Sequence, residues 1–330
     1  MSGRRLQIFA PASIGNVIAG FDVLGAAIEP VDGPPLGDTV AVAASAQTEL
    51  VVRGAYAKRV PTDRDANLCW RAASAVATNR GIALPTVRMT LHKGMPIGSG
   101  LGSSSASAVA GAVAMAAWLD GLTGADEDAF FRWRSAAASE LLRAAGQAEA
   151  HAAGAAHLDN VAPCLLGGLQ LLTPLGPRAL PVPADLCWIL ASPRLELATK
   201  TARAVLPASL ERATAIAHSA NLATVVHSLH AGDLALLATG LRDLVAEPYR
   251  AALVPGFREA QSGALAAGAL ACSLSGAGPA VVAVAQPSNA AAIVAALTAG
   301  FAKGGVACTV NVCAIDERGA RPGAGDVVDQ

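Results

Sequence analysis

From Met95 the chain reads Met-Pro-Ile-Gly-Ser-Gly-Leu-Gly-Ser-Ser-Ser-Ala-Ser107 and then enters the small apolar segment 108–119. Glycines and short hydroxyl residues in a loop that starts a helix can hold an anion. Glycine lets main-chain N–H groups turn inward and lets a ligand come close. The first helical turn adds unpaired N–H donors and a partial positive charge. The ligand such a loop takes is a phosphate, so the chain reads as a nucleotide user. The candidate cradle is Pro96, Ile97, Gly98, Ser99, Gly100, Leu101, Gly102, Ser103, Ser104, Ser105 and Ala106.

Two common phosphate loops do not fit. A Walker A loop ends in Gly-Lys-Ser/Thr, and here Ser103 follows Gly102 directly. A dinucleotide fingerprint needs G-x-G-x-x-G with an acidic residue ending a second strand; the spacing here is G-x-G-x-G, and Asp120 ends a predicted helix. A flexible linker would not run into a long small-residue helix.

The loop resembles the P-x-x-x-G-L-G-S-S-x-A signature of the GHMP small-molecule kinases. Two further segments fit that family in order: Ala10-Pro-Ala-Ser-Ile-Gly-Asn16 with Gly20-Phe-Asp-Val-Leu-Gly25, and Ser275-Gly-Ala-Gly-Pro279. Leu36-Gly37-Asp38, His157-Leu-Asp-Asn-Val-Ala-Pro163, Thr199-Lys-Thr-Ala-Arg203, Ala246-Glu-Pro-Tyr-Arg250 and Pro255-Gly-Phe257 resemble the proteobacterial homoserine kinases within it. The likeness runs from about residue 7 to about residue 316.

The resemblance implies an ATP-dependent phosphotransferase that uses Mg2+ and L-homoserine and forms a homodimer. It implies an α+β fold of two domains. A half like domain 2 of ribosomal protein S5 would span 1–168, and a ferredoxin-like half 169–330, with the division near Gly168 and the active site between them. It places Asn67 beside adenine and makes Ser104 and Glu149 the Mg2+ ligands. Taken alone, Asn67 reads equally as a helix N-cap, and Glu149 as an exposed helix glutamate. Lys93 reads either as a phosphate contact or as a solvated strand end.

Homoserine carries an ammonium, a carboxylate and a primary hydroxyl. Arg203 and Arg250 suit the carboxylate, since guanidinium binds it bidentately. Asp22 suits the ammonium, and Asn16, His157, Asn160 and Thr199 match further pocket positions. Catalysis falls to Asn160, Arg203 and Asp22. An aspartate holding an ammonium is a poor base, and homoserine kinases lack the Asp/Lys pair of some relatives. The expectation is therefore transfer without a strong base: Asn160 and Arg203 orient the hydroxyl and offset charge, and the proton leaves through a phosphate oxygen or water. A kinase of another small alcohol, or a ligand sensor that has lost catalysis, is the alternative; intact Ser104, Glu149 and Asn160 argue against the sensor. Three positions depart from the family: Ile14 where Ser or Thr is usual, Val17-Ile18-Ala19 for Leu-Gly-Pro, and Ala280 for threonine.

Composition bounds the rest. A chain of 330 residues can bury a sizeable core without disulfides. A net charge of −1 and no basic stripe give nucleic acid or an anionic membrane nothing to bind. The 53% hydrophobic fraction is rich in alanine, and segments 106–118 and 260–271 are broken by Ser, Gly or Gln before reaching a span of about 20 apolar residues. Met1-Ser-Gly-Arg-Arg-Leu6 holds no apolar signal core, and the six cysteines lack C-x-x-C spacing, so reduced thiols and a cytoplasmic setting are expected.

The elements that must position these residues follow from periodicity. Strands are predicted over 6–10, 38–44, 50–53, 86–92, 168–172, 186–191, 271–275, 280–284 and 307–314. Helices are predicted over 67–78, 104–119, 127–150, 257–267 and 289–299, with a helical stretch over 199–244 broken at Pro207 and Gly232. The closing β-β-α-β order behind a helix suits a ferredoxin-like half. The tail 320–330 is expected to be loose.

Overall fold

The computed structural model describes residues 5–154 and 156–323. Its first strand, β1 (Arg5–Gly15), runs past the predicted end because it changes partners. Residues 12–15 pair with β2 (Leu24–Pro30), and residues 5–11 pair with β3 (Gly37–Ala44). Pro11, with no N–H to give, lies at the changeover, where its carbonyl accepts the Cys164 thiol at 3.1 Å.

The first half of the sheet is completed by β4 (Glu49–Arg53), parallel to β5 (Val87–His92), which pairs with β3. Helices α1 (Leu68–Asn79), α2 (Ser103–Leu119) and α3 (Glu127–Ala153) pack with this half into the larger core. Buried along almost its whole length, α2 is apolar on every side, as its alanine-rich sequence requires. Gly111 lets α1 come close: a Cβ there would stand 2.3 Å from the Cys69 carbonyl.

Next come α4 (Leu158–Leu166) and the hairpin of β6 (Leu169–Thr173) and β7 (Gly176–Leu180), which hangs on β2. Strand β8 (Cys187–Pro193) leads to α5 (Thr199–Ala204), α6 (Arg212–Ala231), α7 (Leu234–Gly240) and α8 (Glu247–Arg250). Helix α6 ends at Gly232, which adopts a positive φ. The chain continues through α9 (Phe257–Ala266), β9 (Ala271–Leu274), β10 (Val281–Ala285), α10 (Ala290–Lys303) and β11 (Cys308–Ile315). The order β11-β8-β10-β9 is that of a ferredoxin-like unit, and its strands with α9 and α10 form a second core.

Sequence periodicity missed β2, β7, α4 and α8. Strand β2 opens Leu-Gly-Ala-Ala-Ile, poor in β-branched residues, yet it pairs with β1, β6 and β11 and so joins the two halves of the sheet. Pro163 falls inside α4 and removes the N–H that would pair with the Asp159 carbonyl. That carbonyl rests against Gly25, where a Cβ would stand 1.6 Å away.

The tail expectation needs correcting over residues 320–323. Ala320 is buried, and β12 (Arg321–Pro322) pairs with β1. Arg134 holds this segment by donating to the carbonyls of Arg318 and Ala320. Residues 324–330, like residues 1–4 of the N-terminal reading, lie outside the described part. All six cysteines are free thiols, five of them buried. No helix among the described residues is long and apolar enough to cross a membrane.

Helix propensity favours alanine over glycine by about 1 kcal/mol, while overpacking against fixed backbone costs about 1–3 kcal/mol. Because Gly111 meets a main-chain carbonyl that cannot rotate away, Gly111→Ala should destabilise the fold, read as a lower midpoint in denaturant unfolding at unchanged slope.

Candidate active site

A cleft of about 450 Å³ opens between the two halves of the chain. One wall is the Gly98–Ser105 loop and the start of α2; the other is built from α4, α5, α8 and the loop around Gly276. Gly98, Gly100 and Gly102 all adopt positive φ, which ordinary side chains resist. A Cβ on Gly102 would strike the Ser13 hydroxyl at 2.0 Å, so glycine is needed there for space as well as for conformation. Gly102 precedes α2 and offers no side-chain cap. The first-turn N–H groups of Ser103, Ser104 and Ser105 therefore keep their affinity for an anion.

Three cradle residues stand back from the cleft. The Pro96 carbonyl accepts the Ser99 hydroxyl. Leu101 is buried, and its carbonyl accepts the Ser13 N–H. The Ala106 N–H closes the first turn onto Gly102. These residues shape the loop, and Ile97, Gly98, Ser99, Gly100, Gly102, Ser103, Ser104 and Ser105 line the space.

Lys93 is neither a solvated strand end nor a free phosphate contact. Its side chain is 3% exposed and pairs with Asp38, 0% exposed, at 2.5 Å. Its ammonium also donates to the Ser103 carbonyl at 2.6 Å and to the Ser107 hydroxyl at 2.9 Å, which uses all three protons. Asp38 accepts in turn from Ser107 and from the Gly94 N–H. One buried ion pair thus grips the chain where the loop leaves β5 and where α2 begins. Asn67 caps α1 by accepting the Trp70 N–H, donates to the Pro61 carbonyl, and lines the cleft beyond Lys93.

Glu149 is 3% exposed, so the exposed-glutamate reading falls. Its Oε1 is buried without a hydrogen-bond partner, and Oε2 faces His157 Nδ1 at 3.6 Å. A buried carboxylate oxygen left unpaired is costly in the absence of a cation. Ser104, exposed at the head of α2, supplies a second oxygen in the same cleft. Two oxygens, with phosphate oxygens and water completing the shell, suit the hard, octahedral Mg2+.

The other end of the cleft is a polar chain. His157 Nε2 accepts from Arg203 Nε at 3.1 Å, which places the ring proton on Nδ1, toward Glu149. Arg203 reaches on to Asp22 at 2.6 Å. Arg250, 2% exposed, donates to the carbonyls of Ala202 and Gly276. Both guanidinium groups lie over the Phe21 ring, at 5.7 and 5.5 Å. Asn16 donates to the Gly276 carbonyl and accepts from the Asp22 N–H. Asn160 Oδ1 accepts from Ser13, and Thr199 lines the wall at the start of α5.

This corner is conformationally strained. Asn16, Val17, Ile18 and Asp22 all have positive φ, unusual for β-branched residues above all. Val17 and Ile18 are buried, and their packing offsets the strain. The departures noted above find their reasons here. Ile14 is fully buried in β1, and the hydroxyl beside Asn160 belongs to Ser13 instead. Ala280 acts through its backbone, donating to the Ser99 carbonyl. Sequence reasoning gave no role to Ser13, Phe21, Asp38, Ser107 or Asp159. Asp159 was within reach of the sequence, one residue before Asn160, but nothing there shows that it is buried.

The sequence pattern of the GHMP kinases N terminal domain matches residues 67–168, and that of the GHMP kinases C terminal domain matches residues 225–303. A homoserine kinase from Cytophaga hutchinsonii is 34% identical, over 97% of this chain and 98% of that one, with a TM-score of 0.85. A provisionally assigned homoserine kinase from Listeria monocytogenes shares the fold at 24% identity, 97% and 100% coverage and a TM-score of 0.67. So does L. major mevalonate kinase in complex with R-mevalonate, at 13% identity, 98% and 99% coverage and a TM-score of 0.65. The chain belongs to the GHMP kinases and has their two-domain α+β fold, which makes it a kinase that draws on ATP.

Removing one partner of the ion pair under the loop leaves the other charged and buried. Lys93→Met should destabilise the fold by about 3–5 kcal/mol. Lys93→Met with Asp38→Leu should recover part of that loss, read from denaturant unfolding of the single and double variants.

Proposed function

We propose that the chain transfers the γ-phosphoryl group of ATP to the hydroxyl of L-homoserine, giving O-phospho-L-homoserine for threonine synthesis. The observation that carries this reading is the Arg203–Asp22 pair beside Arg250, facing the uncapped start of α2 across one cleft. A zwitterion suits that pair: its carboxylate takes Arg203 and Arg250, its ammonium takes Asp22, and each partner exchanges an internal contact for one to substrate. A substrate with a single charge, such as a simple hydroxy acid, leaves one of them unpaired, and a neutral sugar offers a counter-charge to neither.

Phosphoryl transfer depends on positioning and charge neutralisation. The first-turn N–H groups of α2 hold phosphate oxygens, and Asn67 stands on the adenine side. Ser104 and Glu149 are suited to hold Mg2+, which would neutralise phosphate charge when bound. Asn160 orients the acceptor hydroxyl with its amide, and Arg203 offsets charge on the group in transfer. His157 ties Arg203 to Glu149, so the acceptor and phosphate sides keep a fixed relation. Asn16 and Thr199 close the pocket. With this reading go a cytoplasmic setting, a homodimer and a division of the chain near Gly168.

ADP release with Mg-ATP should be rapid with L-homoserine and near background with L-serine, L-threonine, mevalonate, galactose or no acceptor. Strong turnover of another alcohol would overturn the substrate assignment. No turnover by folded protein that binds ATP would favour a ligand sensor. In a second measurement, Asp22→Asn should raise KM for homoserine tenfold or more and leave kcat within a few-fold, because Asp22 binds and does not take the proton.

A further inference from the structure

Arg250 must stand in a set place to meet a carboxylate, yet its own helix cannot hold it there. Helix α8 is one turn of four residues, too short to be stable by itself. Asp243 fixes its start: Oδ1 accepts the N–H groups of Val245 and Ala246, and Oδ2 accepts that of Glu247. The Glu247 carboxylate then ties the turn to the second core. Its Oε2 accepts the buried Ser273 hydroxyl of β9 at 2.7 Å and the Gln261 amide of α9 at 3.0 Å, and its Oε1 accepts from Arg258 at 2.8 Å.

Glu247 precedes Arg250 by three residues, the spacing that puts two side chains on one face of a helix. Both reach the same stretch of chain. Glu247 holds the Ser273 hydroxyl, and Arg250 donates to the Gly276 carbonyl at 3.0 Å. Between these two, the Ser275 hydroxyl donates to the Gly100 carbonyl of the phosphate loop at 2.6 Å. Residues 273–276 therefore carry α8 on one side and the phosphate loop on the other. With the Arg250 bond alone, the single turn could pivot about Gly276; the Glu247 bond fixes its rotation. Arg250 spends only two of its five N–H groups on the Ala202 and Gly276 carbonyls, which leaves the others for a ligand.

We propose that Glu247 is a positioning residue for the acceptor: through α8 it sets where Arg250 meets the carboxylate, and how far that carboxylate lies from the phosphate loop. This rests on the reading above that Arg250 takes the acceptor's carboxylate. Glu247 does not line the cleft, so it acts through Arg250 and not on substrate. Removing its carboxylate leaves the buried Ser273 hydroxyl without this acceptor and releases the turn. A shift of about 1 Å in a group that holds substrate is enough to cost an order of magnitude or more.

The test compares Glu247→Ala and Glu247→Gln in steady-state turnover with Mg-ATP and L-homoserine. In Glu247→Ala, KM for homoserine should rise about tenfold or more while kcat and KM for ATP stay within about threefold, the pattern of lost acceptor binding. Glu247→Gln keeps an oxygen for Ser273 and Gln261, and the exposed Arg258 can turn to solvent, so KM should return to within about threefold of the unaltered value. In an Arg250→Met background, adding Glu247→Ala should change KM by less than about twofold, because the residue it acts through is gone. A carboxylate that only stabilises the fold would lower the unfolding midpoint and leave KM alone. That result, or an equal KM rise with and without Arg250, overturns the proposal and leaves the acceptor reading standing. Should Glu247→Ala not fold, Ser273→Ala removes the strand's end of the tie with little change in volume, and an unchanged KM there overturns the proposal equally. If the unaltered protein does not turn over L-homoserine, or Arg250→Met leaves KM unchanged, the acceptor reading falls and the role of Glu247 falls with it.

Discussion

The buried Lys93–Asp38 ion pair is the constraint on which the rest of this molecule depends. An anion cradle made of main-chain N–H groups works only if those groups stay aimed while the cleft is empty. Three glycines at positive φ make the loop adaptable, and adaptability alone would let it collapse. The pair prevents this from beneath by holding the Ser103 carbonyl, the Ser107 hydroxyl and the Gly94 N–H at once. Above, the Ser275 hydroxyl ties the Gly100 carbonyl to the second half of the chain. The dipole of α2 then acts from a fixed place.

A second constraint governs the acceptor side. The residues there come from four distant segments, and backbone contacts to one loop draw them together. The Gly276 carbonyl accepts from both Asn16 and Arg250, and the Gly276 N–H donates to Gly15. The strained turn at Asn16–Ile18 survives because Val17 and Ile18 are anchored in the core. Strain of this kind fixes where Asn16 and Asp22 present their polar groups, at the expense of local stability. The free protein answers its own charges by pairing Asp22 with Arg203, a contact that a zwitterion is suited to divide.

Much of this was legible beforehand. The phosphate loop, the helix after it and the breaks at Pro207 and Gly232 follow from local chemistry, since glycine, proline and small hydroxyls act within a few residues of themselves. Strand β2 was not legible because its Gly-Ala-Ala core has little strand preference, and three neighbouring strands impose its conformation. Helix α4 was hidden by Pro163, which reads as a breaker until Gly25 makes room for the carbonyl it frees. Lys93 was open to two readings, and the structure supports neither, because burial and Asp38, 55 residues away in sequence, decide what a lysine does.

The sequence by itself determined the phosphate loop, the family and the residue types at the site, because motif spacing encodes local geometry and three motifs in order leave few alternatives. Only the tertiary structure decided the state of each charged group. Taken alone, Glu149 reads as an exposed helix residue, yet it is buried with an orphaned oxygen; Asp159 was passed over and is a buried acid beside Asn160. The reason is physical: the protonation, partners and basicity of a side chain depend on dielectric and on charges brought near by distant segments, and no local pattern records them.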